Sequence, residues 1–520
     1  MKRSVWRLAA AVALGAACWS SRAPAQQQPP PATSDATSTR EEVRALRELV
    51  NELNERLGRI EAQSAGLIGS GAAPAAAPSE LDALRDQVYE LNKRLRQIEV
   101  QAETDKAAAE AAAKKTPVVS AGAEGFSITS PDKAFQLKVG ARVAYDVAFF
   151  KQDRELERAV GNEQDGVGFR YARIRLSGRV WENISHTLEF DFAGESGEDT
   201  PVFRDVYVQL EKIPYFAGQD FTFRVGHYRE PFSLEELTPV PYRTFNERSL
   251  ANVFVPSRNA GIQLSDALLG ESGQERMTWA IGAFKETDNW PSSNDSDEDQ
   301  GYQITARVTG LPWYADEGRK LLHLGLAYSL RNPDGARLAY GARPESRLAL
   351  FRYADVDKLP VGFRLRDARA DDANLLGLEL AGVYGPFSLQ GEYIRSDVDT
   401  TFAGDVAFDG YYVQATYFLT GESRPYRNDR GLFGRVVPKR PFGWKSASGW
   451  GAWEAAARYS AVDLNDGPIR GGRHDAFTLG LNWYLNPNAR VTWNYTHNNV
   501  EHDLYDGSFD VFQTRFQLEF

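Results

Sequence analysis

The chain ends in strict alternation. Counting back from Phe520, the residues Leu518, Phe516, Thr514 and Phe512 are apolar or small, and Glu519, Gln517, Arg515 and Gln513 stand between them. A period of two with one greasy and one wet face is the signature of a β-strand. The same texture begins near Phe126 and recurs in sixteen segments: 134–150, 167–181, 184–193, 202–211, 219–228, 259–268, 275–286, 301–311, 320–330, 373–384, 387–397, 407–420, 450–461, 475–485, 489–499 and 509–520. Residues 181–183, 385–386 and 486–488 read as tight turns, whereas 152–166, 287–300 and 462–474 read as long polar loops. An even strand count, turns short on one side and long on the other, and an aromatic last residue predict an all-β fold. The expectation is a 16-stranded antiparallel transmembrane β-barrel over residues 122–520.

Upstream the period changes. Residues 26–40, rich in Gln, Pro, Ser and Thr, are expected to be unstructured. Val43, Leu46, Val50, Leu53, Leu57 and Ile60 then repeat at heptad spacing, and Leu81, Leu84, Val88, Leu91, Leu95 and Ile98 do so again after a Gly66–Pro78 linker. A helix apolar only along such a seam buries it against another helix, so 41–61 and 80–99 are expected to be short coiled coils within a 26–121 segment. Their partner is left open: each other, as a hairpin, or copies in other subunits, as a parallel trimeric stalk. Residues 1–25 read as a secretory signal, with Lys2, Arg3 and Arg7, an apolar run from Leu8 to Ala17 and Ala23-Pro24-Ala25 as the cleavage site. The only cysteine, Cys18, lies inside it, so the mature chain is expected to have neither disulfide nor thiolate metal site.

No apolar run beyond the signal is long enough for a transmembrane helix, and the mean hydropathy is −0.45. A barrel escapes that argument because half of each strand faces water. The formal charge of −11 becomes −15 without the four basic residues of the signal, which excludes general nucleic-acid binding. Gly-x-Ser-x-Gly, phosphate-loop and His-Glu-x-x-His motifs are missing, and the six histidines are scattered. The run Asp295 to Asp299 lacks the spacing of a calcium loop and reads as a solvated acidic loop facing lipopolysaccharide-bridging cations. The expectation is a protein that is not an enzyme and needs no cofactor.

The basic residues carry more information. Residues 122–520 contain 35 Arg and 9 Lys against 56 Asp and Glu, a net of −12. Guanidinium is always charged, weakly hydrated and shaped to hold oxyanions through two parallel hydrogen bonds. In 169–176 the lipid-compatible set is Ala172, Ile174 and Leu176, which turns Arg173 and Arg175, and then Arg179, inward. The same phasing puts Lys138, Arg142, Asp205, Arg224, Arg307, Glu454 and Arg458 inside.

Three insertions stand out. Segments 229–258 and 331–372 fall on the outer side; parity puts 421–449 on the periplasmic side, where turns should be short. With Phe433, Phe442 and Trp444 it is expected to fold into the lumen. It holds Arg424, Arg427, Arg430, Arg435, Lys439, Arg440 and Lys445 against Glu422 and Asp429, a net of +5. Barrel interiors carry arginine–carboxylate lattices, and any single arginine has that reading beside a functional one. The 421–449 run lacks enough local carboxylates and favours anion handling.

Several motifs in order resemble the phosphate-selective porin O/P family across most of 126–520. They are Phe-Arg-Tyr-Ala-Arg-Ile-Arg-Leu-Ser-Gly (169–178), Arg-Glu-Pro-Phe-Ser-Leu-Glu-Glu-Leu (229–237) and Glu-Arg-Ser-Leu-Ala-Asn-Val-Phe-Val-Pro-Ser-Arg-Asn (247–259). They continue in Phe-Leu-Thr-Gly-Glu-Ser-Arg-Pro-Tyr (418–426), Trp-Gly-Ala-Trp-Glu-Ala-Ala-Ala-Arg-Tyr-Ser (450–460) and Asn-Trp-Tyr-Leu-Asn-Pro (482–487). The resemblance implies a homotrimeric outer-membrane porin whose inward loops make a narrow waist, with arginines guiding anions to it. Arg142, Arg173, Arg175, Asp205 and Arg229 would lie near the constriction, and Arg243, Arg248 and Arg258 on or beside its loop. Arg229 stands where phosphate-specific members are expected to carry lysine, and Tyr171 interrupts a usual Arg pair. Together with Arg424, Arg427, Arg430 and Arg458 these residues form the expected anion path. The expected solutes are phosphate, polyphosphate or other small anions, and the expected surroundings are outer-membrane lipid and lipopolysaccharide, with peptidoglycan a candidate partner of the periplasmic N-terminal segment. Two other classes stay open: a tether or adhesin with a plugged barrel, and a barrel enzyme, for which no convergent Ser/His/Asp set can be assembled.

Overall fold

The computed structural model describes residues 34–68, 78–113, 116–122, 125–193, 201–215, 219–271, 273–287, 301–333, 338–356, 365–368, 370–443 and 449–520. The signal segment with Cys18 and most of the Gly66–Pro78 linker lie outside them. The chain divides into two units, Met1–Thr116 and Pro117–Phe520.

In the first unit, two helices span Ser34–Ile68 and Pro78–Ala113. The first begins inside the stretch expected to be unstructured, and the second runs on through the alanine-rich tract. Ion pairs Arg47–Glu99 and Arg85–Glu61, both at 2.6 Å, tie the start of each helix to the end of the other. The pair is therefore antiparallel within one chain, and Val50 on the seam is buried.

In the second unit, sixteen strands form one barrel. They are β1 (Phe135–Gln152), β2 (Gly166–Val180), β3 (Ile184–Asp191), β4 (Val202–Pro214), β5 (Asp220–Arg229) and β6 (Arg258–Leu268). Next come β7 (Met277–Lys285), β8 (Tyr302–Ala315), β9 (Lys320–Arg331), β10 (Ala370–Tyr384) and β11 (Phe387–Thr400). The last are β12 (Val406–Phe418), β13 (Ala452–Asp466), β14 (Ile469–Tyr484), β15 (Ala489–His502) and β16 (Tyr505–Glu519). Every neighbouring pair is antiparallel, and β16 closes on β1 from Phe509↔Gln152 to Glu519↔Arg142. The alternation has the expected sense. Leu137, Ile174, Leu378, Phe512 and Leu518 are exposed outside, whereas Thr305, Ser329, Asn482 and Arg515 are buried inside.

β1 is longer than β16, which leaves its first residues paired with β2 but without a strand on the β16 side. A hairpin of Val118–Gly122 and Gly125–Thr129 fills that edge by pairing Phe126–Thr129 with Gln136–Val139. Phe126 meets Phe520 edge to face at 6.1 Å. The Ala141 N–H donates to the Phe520 carbonyl at 2.9 Å, and the Phe520 N–H donates back at 3.0 Å.

One loop expectation is corrected. Residues 462–474 are not a long loop: β13 and β14 continue to Asp466 and from Ile469, and only Gly467 and Pro468 lie between. Conversely, 152–166 contains a short helix, Arg154–Val160, capped by Asp153.

All three insertions contribute to the interior. Phe232, Leu250 and Phe254 of the first pack on Leu338, Tyr340 and Val356 of the second and on wall residues Leu375, Val398, Phe408 and Val462. Of the third, the part around Tyr426–Phe433 folds into the barrel as expected, whereas Phe442 meets Trp483 at 5.0 Å and Trp444 lies outside the described residues. In the inward part, Tyr426–Arg427 and Leu432–Phe433 pair. Phe433 is fully buried with Leu234, Leu311, Leu321, Ala381 and Val383, a burial worth about 1.5–3 kcal/mol. Gly431 makes the tip possible: its φ is +61°, and a Cβ there would lie 2.7 Å from the Thr309 hydroxyl and 2.8 Å from that of Thr278. Its carbonyl accepts from Arg307 at 2.9 Å.

Candidate functional site: an arginine-lined cavity

The loop between β5 and β6 folds around its own acids. Ser233 caps the short helix Leu234–Leu237 by accepting from the Glu236 N–H at 3.1 Å. The Glu392 carboxylate of β11 accepts from the Leu234 and Glu235 N–H groups at 3.0 and 2.7 Å. Acceptors suit that position, where the first N–H groups of a helix have no helical partner. Glu236 then holds Arg229 at 2.9 Å and Arg248 at 2.8 Å. Glu247 holds Arg170 at 2.6 Å and Arg515 at 2.6 Å. Burial alone would raise both carboxyls. The Arg248 and Arg229 guanidiniums hold Glu236 below its ordinary value, and those of Arg170 and Arg515 hold Glu247 well below it.

Arg458, only 1% exposed, ties two loops to the wall. It binds Glu235 of the first loop at 3.1 Å and Glu345 of the second at 2.5 Å. Its Nη1 and Nη2 both donate to the Glu247 carbonyl at 3.1 Å, and its guanidinium lies 4.4 Å from the Phe245 ring.

What the loops leave open is a cavity of about 450 Å³ against β1, β2 and β4–β8. Seven arginines border it (142, 175, 224, 229, 258, 307 and 430), with no lysine and four carboxylates (Asp205, Glu211, Asp266 and Asp429). The loop side adds Pro231, Leu237, Pro239 and Val240, and the third insertion adds Asp429, Arg430 and Leu432.

Of the expected path, Arg142, Arg175, Asp205, Arg229, Arg258 and Arg430 border this cavity. The structure places the other six elsewhere. Arg173 is 6% exposed and locked to Glu189 at 3.1 Å and Asp191 at 2.8 Å. Arg243 is buried in the loop, where its carbonyl accepts from Arg490 at 2.6 Å. Arg248 is held by Glu236. Arg424 is buried over the Phe433 ring at 3.6 Å and donates to Gln390 at 2.8 Å. Arg427 pairs with Asp429 at 2.9 Å, and Arg458 serves the loops.

The bordering arginines differ in their partners. Arg258 pairs with Asp205 at 2.7 Å, Arg229 with Glu236, and Arg142 with Glu189 and Glu519 at 3.4 and 3.5 Å. Arg307 grips Glu379 with two hydrogen bonds of 2.8 and 2.7 Å. Among the described residues, no carboxylate lies within ion-pair distance of Arg175 or Arg224. Arg224, which strand phase turned inward but which was not placed on the expected path, lies 4.5 Å from the Tyr207 ring and 5.1 Å from that of Tyr228. Arg170 is a second addition. Simple alternation would turn it outward, but a bulge opposite Ala144 and Tyr145 sets it inward, onto Glu247. Among the described residues no cluster of three His, Cys, Asp or Glu is arranged to hold a metal ion.

Comparison with known proteins adds context to this geometry. The family described as phosphate-selective porin O and P matches residues 137–520. Porin O of Pseudomonas aeruginosa is 26% identical over 432 residues, covering 76% of this chain and 91% of that protein. An uncharacterized protein of Caulobacter vibrioides is 26% identical over 503 residues, covering 94% of this chain and 89% of the other. Among solved structures, the anion-selective porin from Comamonas acidovorans is similar with a TM-score of 0.45 and 15% identity, over 74% of this chain and 100% of that one.

Proposed function

Because the chain belongs to the phosphate-selective porin O and P family, we propose that it is an anion-preferring diffusion channel of the outer membrane, with phosphate or polyphosphate as leading solutes. The carrying observation is the cavity wall, with seven arginines, no lysine and four carboxylates. Charges beside a low-dielectric wall act over longer range than in water, and several weak guanidinium contacts can replace an anion's hydration in turn while still letting it leave. The wall arginines paired to carboxylates fix the shape and field of the passage, Arg175 and Arg224 supply its excess positive charge, and Arg430, exposed and 3.5 Å from an Asp429 already held by Arg427, adds to it. The porin role is non-enzymatic and calls for no covalent step. In this reading residues 1–25 direct export, the helices stand in the periplasm and the barrel assembles as a homotrimer.

The test is a reversal potential in a KCl gradient across a planar bilayer holding the purified full chain. The expected sign is that of chloride, and block of chloride current by millimolar phosphate is the second expected result. A reversal potential at zero or of cation sign would overturn the reading.

A further inference from the structure

Two of the cavity's arginines are neither wall struts nor loop anchors. Arg224 uses Nε to bond Gln209 at 3.1 Å, and neither of its terminal nitrogens has a protein partner among the described residues. Its plane is held by aromatic rings, Tyr207 and Tyr228, which meet each other edge to face at 5.8 Å. Tyr228 is braced in turn by Phe284 at 5.6 Å. A guanidinium fixed over rings keeps its two terminal donors parallel and available, the geometry that suits an oxyanion. Arg175 borders the same cavity; Asp205, the carboxylate in its field, is committed to Arg258 at 2.7 Å, and among the described residues none pairs with Arg175 itself.

The rest of the lining is not what a bare inorganic anion asks for. Leu237 and Pro239 present apolar surface to the same space, together with the tyrosines. Apolar lining gives nothing to a fully hydrated ion but stabilises the body of an organic solute. A cavity of about 450 Å³ also falls within the roughly 300–1,000 Å³ typical of sites for small organic ligands.

We propose that Arg175 and Arg224 seat the oxyanion head of an organic phosphate monoester or phosphonate, whose apolar body lies along Tyr207, Tyr228, Leu237 and Pro239. The inference rests on the anion-channel reading and narrows its solute class. Head and body are recognised by different surfaces, so an ester carrying a ring holds both at once and inorganic phosphate holds only the first.

The experiment compares two probes, inorganic phosphate and phenyl phosphate, as blockers of chloride current through the full-length protein in planar bilayers. Phenyl phosphate is expected to half-block at a concentration about ten-fold lower, the gain from covering one ring. Arg224→Gln is expected to weaken both probes, Arg224→Lys to restore part of the block, and Leu237→Ser to narrow the gap between probes. Should Arg224→Gln fail to assemble, the wild-type ratio and Leu237→Ser still decide. Equal block by the two probes in a channel that prefers anions would overturn the seat alone. A channel without anion preference would overturn the functional reading and the seat with it.

Discussion

The two sides of the barrel interior obey the same alternation and reach opposite results. Against β9–β14 the inward residues include Ala327, Leu375, Ile394, Val398, Phe408, Val462 and Ala476, and two loops pack on them as on an ordinary hydrophobic core. Against β2 and β4–β6 the inward residues include Arg175, Asp205, Gln209, Arg224, Arg258 and Gln263, and a cavity remains. The difference teaches that the wall decides where a loop may settle. An apolar wall rewards coverage, whereas a charged wall is covered only where the loop brings partners, as Glu235 and Glu345 do for Arg458; a guanidinium covered without one costs several kcal/mol. The place of the opening is written on the strands, and the loops follow it.

The hardest blow to this division falls on Arg458, which holds both loops on the packed side. Arg458→Ala leaves Glu235 and Glu345 buried and unpaired, a loss of about 3–5 kcal/mol. We expect a lower unfolding temperature and a larger, noisier single-channel conductance; unchanged conductance would refute the role of Arg458 as the pin. The third insertion separates the two effects within one segment. Arg424→Ala removes a buried guanidinium from a ring and an amide. It should destabilise the fold by about 2 kcal/mol with little change of ion preference. Arg430→Ser, at an exposed residue bordering the cavity, should do the reverse. If both variants shift only stability, the segment is a plug and not part of the path. The double variant Arg175→Ser with Arg224→Ser tests the open side, with a reversal potential moved toward zero and a stability loss of about 1–2 kcal/mol from the ring and Gln209 contacts of Arg224.

Acid gives the mildest perturbation. Glu236 and Glu247 have carboxyls held below the ordinary value near 4.5. Their contribution to loop docking is therefore complete above that value and is lost as pH falls through their lowered values. Conductance should stay constant from neutral pH down to about 5 and rise only in stronger acid. A rise already at pH 6 would point to a different latch.

Direction was legible in the sequence, and partnership was not. Strand phase turned Arg173 and Arg175 inward alike, yet Asp191 and Glu189 on β3 claim the first and leave the second open. Arg170 was hidden because a bulge breaks the period on which the reading depends. Arg458 and Glu345 are 113 residues apart, and no local pattern joins them. The ends of β13 and β14 read as a loop because Asn465, Asp466, Gly467, Pro468 and the glycines Gly471 and Gly472 break the pattern, although Val462, Leu464, Ile469 and His474 on the inner face are buried. The inward fold around Tyr426–Phe433 could be foreseen, since parity put a long aromatic segment on the side of short turns.

The hairpin over the β1 edge has a mechanical consequence. Any tension on the barrel through its N-terminal connection arrives at Val118, whose partner Thr129 is fixed to the wall side. Pulled there, the hairpin opens like a zipper, one pair after another, through the five pairs from Val118↔Thr129 to Gly122↔Gly125. Only then does the load reach Phe126–Thr129 on β1 and the contact with Phe520. The turn thus works as a fuse ahead of the barrel seam, and single-molecule pulling from residue 117 should record a weak, reversible extension before any strand leaves the membrane.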